Sequence, residues 1–434
     1  MTKTYKYVMM GIVAISMSSC GNNWLDLDPS TSVPTKVTSK SEVDATLNGI
    51  YSTMQDPYAY SGRLVYYGDM TGDDMQAVSS TKRTASAYLY GFTKSNAPSS
   101  YWAYPYRIIQ NCNVILTNID KIEVADADKQ TMNDYKGQAL ALRGLSLFDL
   151  TKLYGYPYTH DNGASLGASI VTDVVDKDYM PQRSTVAQCY EQIINDLEAS
   201  INLLGEKFNK GKINKWAALT LLSRVYLYHG DKEKALNAAK AAIEGAESHE
   251  YQLWTNAEYP TAWSNDVSDA STNKGEVLFE IINLTTDSPG KESLGYLYSP
   301  DGYYDGCVTK SFYNFLKKDN DDVRLKIINV VTKAQGYSSS VYGRGYVNKY
   351  QPQQGERRKE LVGEGHRMFD LLRNGKKVVR VEEKNSTLSK TKHTCGKDFM
   401  TIGEGEENFY KVVLPLPLAE RNVSHLLNNP GYGE

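Results

Sequence analysis

Apolar positions recur at three- and four-residue intervals through most of the chain up to residue 250, and that spacing predicts helices. Val43, Leu47, Ile50 and Met54 mark one over residues 41–55, with Ser41 placed to cap it. Residues 101–120 turn helical after Pro105, with Trp102, Tyr106, Ile109 and Asn113 in step. Residues 138–154 direct Leu142, Leu145, Phe148 and Leu153 inward and stop at Gly155-Tyr156-Pro157. A further helix is expected over 184–204. Residues 56–100 lack this period yet hold Tyr58, Tyr60, Arg63, Tyr66, Tyr67, Arg83, Tyr88 and Tyr90. A loop this long implies function or packing of its own.

The densest pattern lies over 356–375, ERRKELVGEGHRMFDLLRNG. Leu361, Val362, Phe369 and Leu372 fall on one side of a predicted helix that Gly375 ends. Glu360, Glu364 and Asp370 alternate with Arg357, Arg367 and Arg373, so salt bridging is expected, not a catalytic carboxylate pair with split pKa values. Residues 218–244 match a tetratricopeptide unit: Leu222, Tyr226, Gly230-Asp231, Ala235, Leu236, Ala242 and Ile243 stand at its offsets. Such a unit buries its face only by stacking, and the earlier helices are its expected partners. The predicted fold is mostly α: tetratricopeptide-like helical repeats packed against an irregular, loop-rich half with few short strands.

That second half, residues 251–355, is rich in Gly, Ser, Asn, Asp and Tyr, with a strand-like run over 276–281. Asp319 to Asp322 with Arg324 lack the spacing of a calcium loop and read as a turn. Residues 376–407 read as polar loop, and 412–432 as a strand-like run and a cap. Composition sharpens the picture through tyrosine, of which there are 33, against 5 Trp and 9 Phe. Tyrosine joins an apolar face to a polar tip, which suits half-buried recognition surfaces, although most of these rings are expected between helices. Lys+Arg number 48 and Asp+Glu 51, giving a net charge of -3 and no basic stripe, so nucleic acid is not an expected partner. Cys20, Cys112, Cys189, Cys307 and Cys395 form no CxxC and no Cys/His cluster, so no metal finger is expected. Apart from Cys20, buried free thiols are the simplest reading, while an oxidising compartment permits disulfides of no legible connectivity.

The N-terminus carries Lys3 and Lys6, then the apolar run YVMMGIVAISM over 7–17, too short to span a bilayer. Met17-Ser18-Ser19-Cys20 follows, as at a lipoprotein signal site, with Met17 where leucine is usual. One GxSxG occurs, Gly163 to Gly167 around Ser165, but a nucleophile elbow needs a strand before it and a helix after it. Binding is the better-supported class. Sugars offer C–H faces to aromatic rings and hydroxyls to planar donors and acceptors. Tyr58, Arg83, Trp263, Tyr296, Tyr303 and Tyr304 are the candidates, by loop position and polar neighbours. No catalytic, metal or cofactor site is assigned.

Taken together, the ERRKEL…EGHRMFDLLRNG stretch, WLDLDP at 24–29, ALRGLSLFDLTKLYG and the terminal PLPLAE…NPGY resemble the SusD/RagB family of nutrient-binding outer-membrane lipoproteins. The resemblance implies cleavage before Cys20 and acylation there, a surface-exposed protein, and a SusC-like TonB-dependent transporter as partner. It implies a glycan ligand, with peptide as the runner-up and a Ser165 hydrolase as the rival class. The implied organisation is a signal peptide over 1–19, a tether over 20–40, helices over 41–250, a ligand-binding half over 251–355 and a cap over 356–434. One departure stands out: the family's usual repeat ahead of the ERRKEL segment is absent, since Gly355 leads straight into Glu356.

Overall fold

Helix ends are written into short polar residues, and the computed structural model shows how. It describes residues 35–433, except 80, 177, 207, 208, 210, 263–274, 284–289, 320, 340, 341, 350–356, 360–364 and 381–399. Helix α1 (Lys40–Met54) is capped by Ser39, not Ser41: Ser39 is extended and its hydroxyl accepts from the Glu42 amide. Val43, Leu47, Ile50 and Met54 are buried along it as the spacing predicts, and Tyr51 joins them. The expected loop over 56–100 is locally built. It holds α2 (Arg63–Met70), strand β1 (Met75–Ala77) and α3 (Ala85–Tyr88), and it buries Tyr60, Tyr66, Tyr67, Tyr88 and Tyr90.

Helix α4 (Ser99–Asn118) begins before Pro105 and runs through it. The proline forfeits one backbone bond. Burial of Tyr101 and Trp102, and a 2.9 Å bond from the Tyr101 hydroxyl to the Arg63 carbonyl, hold the turns ahead of it. Helix α5 (Lys129–Tyr154) begins nine residues ahead of Gln138, in turns where Met132 is buried but no apolar period exists to announce them. Helices α6 (Tyr158–Asp161), α7 (Val186–Leu203), α8 (Lys215–His229) and α9 (Lys232–Ser248) follow. Thr185 and Gln188 cap α7 reciprocally, and Asn214 caps α8. Gly230, at φ +100, ends α8, and Asp231 caps α9 at once, as the tetratricopeptide pattern requires.

The stack runs α4 on α5, α5 on α7, α7 on α8 and α8 on α9. Phe148 is its hinge pin, edge-on to Tyr190 at 6.0 Å and to Tyr228 at 5.5 Å. Trp102 stands edge-on to Tyr154 at 4.8 Å, in the core as expected. Asn113 is satisfied by the Val171 and Asp173 carbonyls, and Arg143 joins it to Asp196. Ala235, Ala238, Ala242 and Ala246 let α9 lie close to α8. Leu236 and Ile243 stand at repeat positions but are 54% and 57% exposed, because no described helix covers that face of α9.

Beyond lie α10 (Tyr259–Ala262), β2 (Glu280–Ile282), α11 (Leu294–Tyr298), β3 (Gly306–Val308), α12 (Lys310–Leu316), β4 (Ile328–Val330) and β5 (Gly345–Val347). The main sheet has the order β1-β3-β5-β4, all antiparallel, with Gln76 opposite Cys307 and Asn329 opposite Tyr346. Strand β2 is shorter and later than the run over 276–281. Asp322 caps a 3-10 turn and pairs with Arg324, as the turn reading expects.

The helix expected over 356–375 is replaced by three pieces. Strand β6 (Arg357–Lys359) pairs with β2, Ile281 opposite Arg358, and among the described residues of this stretch α13 (Arg367–Arg373) is all that is helical. Gly365, at φ +69, breaks the run, and a helix interior does not admit that conformation. A side chain on Gly68 would fall 1.5 Å from the Gly365 carbonyl oxygen, so α2 and this turn meet backbone to backbone. The polar stretch over 376–407 holds a hairpin, β7 (Val378–Arg380) with β8 (Met400–Ile402), where only loop is expected. Helix α14 (Leu418–Ser424) ends the fold after Val413, Leu414 and Leu416 are buried. Cys112, Cys189 and Cys307 are buried and none of them is in a disulfide. Cys20, Cys395 and the junction where a repeat is expected to be absent lie outside the described residues.

Candidate functional site

Asp56 opens the site. One of its carboxylate oxygens accepts from the Tyr58 amide at 2.8 Å, and the other accepts from the Tyr104 hydroxyl at 2.7 Å. The Tyr104 ring is thereby held through its hydroxyl and the Tyr58 backbone is placed beside it, and both residues line one cleft. Burial, and then the Asp56 carboxylate, push the Tyr104 phenol up to about 12, so it stays a neutral donor. The cleft has a volume of about 630 Å³ and is walled by Tyr58, Arg63, Phe92, Asn96, Tyr101 and Tyr104. Asn96 is set by its own turn: its amide oxygen accepts from the Thr93 amide at 2.6 Å and its nitrogen donates to the Gly91 carbonyl.

An ionic chain runs from this cleft to the loop-rich half. The Arg63 guanidinium lies 4.6 Å from the centre of the Tyr58 ring and donates to Glu292 at 2.9 Å. The second oxygen of Glu292 takes Arg83, whose guanidinium lies 3.4 Å from the centre of the Tyr303 ring. Arg83 also reaches Asp305 at 3.4 Å, and buried Asp305 accepts from Thr84 at 2.8 Å. Burial raises the Glu292 carboxyl, but bonds from Arg83 and Arg63 outweigh it and hold the group below its usual range. Arg63 and Arg83 pair with Glu292, and Arg83 and Lys82 with Asp305, so these charges are met within the protein. Such a wall suits a neutral, hydroxyl-rich ligand better than an ion.

Of the predicted residues, Tyr58, Arg83 and Tyr303 come together along this chain. Tyr296 stands beside them: its carbonyl accepts from the Tyr303 amide at 2.8 Å, and Gly302 is small because Tyr296 crosses it. Tyr304 turns away. It is 4% exposed, at φ +45, with its ring edge-on to Tyr346, so it supports the loop instead of offering a face. Trp263 lies outside the described residues. Sequence reasoning did not select Arg63, Glu292, Asn96 or Tyr104. The spacing of Tyr104 and Arg107, whose guanidinium lies 5.1 Å from that ring, was a local hint. The partnership of Arg63 with Glu292 had none, since 229 residues separate them.

Ser165 fails the elbow test. It sits on a bend that leads to an isolated bridge between Leu166 and Thr185, with its hydroxyl buried and unbonded. No group of acidic, histidine or cysteine side chains among the described residues is arranged to hold a metal. No described helix is long and apolar enough to cross a membrane.

Comparison with known proteins places the chain. A family model described as starch-binding associating with outer membrane matches residues 23–227, and the SusD family model matches 352–432. SusD-like protein P2 of Formosa agariphila is 26% identical over 219 residues, which are 49% of this chain and 41% of that protein. The chain spans less than half the length of the curated relatives it matches, 41% and 48%. A solved structure from Bacteroides vulgatus, described as a candidate sugar-binding protein, is 50% identical with a TM-score of 0.83, covering 92% of this chain and 100% of that one. A SusD superfamily protein from the same species is 30% identical with a TM-score of 0.80 at the same coverage.

Proposed function

The chain belongs to the SusD family, and on that premise we propose that it is a non-catalytic surface lipoprotein that binds a neutral oligo- or polysaccharide in the Tyr58–Tyr104 cleft and presents it to a SusC-like TonB-dependent transporter. The observation that carries the reading is that Asp56 holds the Tyr58 backbone and the Tyr104 hydroxyl, so that both rings line one cleft beside Arg63, whose charge is met by Glu292. Rings take the C–H faces of a sugar, and Asn96, Arg63 and the Tyr104 hydroxyl take its hydroxyls. The relatives support the ligand class through the starch-binding description of the family model and the sugar-binding description of the 50% identical structure. Acylation at Cys20 supplies the anchor in this reading, and outer-membrane association follows the same family description. The transporter partnership rests on the family resemblance.

The test is incubation of the purified protein with a panel of plant and host glycans, alongside peptides, with binding and product formation both measured. Binding without products, unchanged in Ser165→Ala, is the expected result. Turnover abolished by Ser165→Ala overturns the proposal in favour of a hydrolase, and binding of peptides alone overturns its ligand class. Labelling with a palmitate analogue, lost in Cys20→Ala, tests the anchor.

A further inference from the structure

Helix α3 separates the cleft from a second concavity. Thr84 and Ala87 face the cleft, while Tyr88 lines a cavity of about 380 Å³ on the other side. The two therefore stand back to back across one turn of helix. We propose that this second cavity is a further sugar-binding subsite, with Phe315 as its stacking platform and Asp74 and Arg367 as its hydroxyl partners.

The walls are built, not incidental. Phe312 and Phe315 lie three residues apart on α12 and both line the cavity, and Phe315 is 59% exposed. Opposite them, Arg367 from α13 grips Asp73 through two bonds of 2.7 and 3.3 Å. The guanidinium is thus fixed in one plane at the rim. Asp74 is reached by that guanidinium only at 3.5 Å, which leaves acceptor capacity on its carboxylate. The acidic loop is pinned from behind, since the Thr309 hydroxyl donates to the Asp73 and Asp74 carbonyls. Arg380 closes the floor, with its donors spent on the Gly72, Met70 and Tyr88 carbonyls.

Chemistry selects the occupant. Two carboxylates and two guanidinium groups line the cavity, so the lining charges cancel and an ion gains little. A vicinal diol fits: its hydroxyls donate to Asp74 and accept from Arg367, and the ring's C–H face lies on Phe315. The volume falls in the range of small-ligand sites and suits one end of a chain, not a polymer. A polysaccharide reaching around α3 would occupy cleft and cavity together, and the linkage raises its overall affinity through effective concentration. A disaccharide gains nothing from that linkage.

The inference rests on the glycan reading above. The experiment is calorimetry on the full-length protein with each panel polysaccharide and with its disaccharide. Phe315→Ala and Asp74→Asn are expected to weaken polymer binding about five- to tenfold. Phe315→Trp, which keeps a ring on this exposed site, is expected to retain it, which separates stacking from misfolding. In a Tyr104→Ala background, residual disaccharide binding is expected to vanish on adding Phe315→Ala. Wild-type binding of the polymer with unchanged affinity in Phe315→Ala and Asp74→Asn overturns the second subsite and leaves the cleft standing. Failure of the wild type to bind any panel glycan overturns both.

Discussion

Between α4 and α9 the backbone satisfies itself within each helix, and side chains there have only to pack. Between α10 and β5 the strands are three residues long, and carbonyls in and beside the short strands of this sheet region depend on donors from elsewhere. Gln55 donates to the Ile282 carbonyl at 2.6 Å, Asn214 to that of Leu278 at 2.7 Å, and buried Arg344 to that of Val78 at 2.7 Å. Arg380 does the same for three carbonyls of the region around β1. Arginine in this half is largely structural cement. The arginines that line the two cavities proposed for ligand and pair with a carboxylate are Arg63 and Arg367.

The comparison breaks most sharply at Arg380. Arg380→Ala strips three buried carbonyls of their donor and is expected to cost about 3–5 kcal/mol in urea unfolding, comparable to Leu142→Ala at about 2–5 kcal/mol in the helical half. Arg380→Lys is expected to restore little, since a single ammonium cannot span carbonyls placed for a fork. Gly68→Ala follows. Its methyl would meet the Gly365 backbone, and an expected loss of about 1–3 kcal/mol should appear as a lower midpoint, with α13 exposed first to hydrogen exchange.

Two carboxylates sharpen the contrast through pH. Burial pushes the Asp74 carboxyl up to about 6, Asp73 and Asp69 add to this, and Arg367 opposes it. Between its unfolded value near 3.8 and about 6 the folded state holds more protons, so stability falls as pH rises through that window and stays lower above it. Asp74→Asn is therefore expected to stabilise by up to about 2 kcal/mol near neutrality and to change nothing below the window. Glu292 has the opposite sign. Its folded value is lowered, so its contribution is present above an unfolded value near 4.5 and is lost as pH falls. Thermal midpoints across pH for Asp74→Asn and Glu292→Gln check both. The smallest effect is expected at Leu236 on the outer face of α9, where Leu236→Ser should change stability by no more than about 0.5 kcal/mol. A larger loss would mean that something covers that face.

The helical half was legible because burial there follows a 3.6-residue period. Leu142, Leu145, Phe148 and Leu153 are all buried as the spacing predicts. The period failed where glycine geometry overrode it, as at Gly365, and where a helix carried no apolar period at all, as over the first turns of α5. At the candidate site, loop position and polar neighbours selected Tyr58, Arg83 and Tyr303, which the fold brings together along one ionic chain. The same criteria picked Tyr304, because sequence does not tell which of two adjacent tyrosines turns inward at a positive φ. Arg63 and Glu292 were out of reach, since the fold pairs them across 229 residues, and Tyr104 meets Asp56 only once the fold closes 48 residues between them.

The central claim is that the Tyr58–Tyr104 cleft holds a neutral glycan. Calorimetric titration of a bound panel polysaccharide into the wild type and into the Tyr58→Ala/Tyr104→Ala double variant tests it most directly. The account predicts a loss of at least about a hundredfold in affinity with an unchanged thermal midpoint. Equal affinity in the two proteins would contradict it.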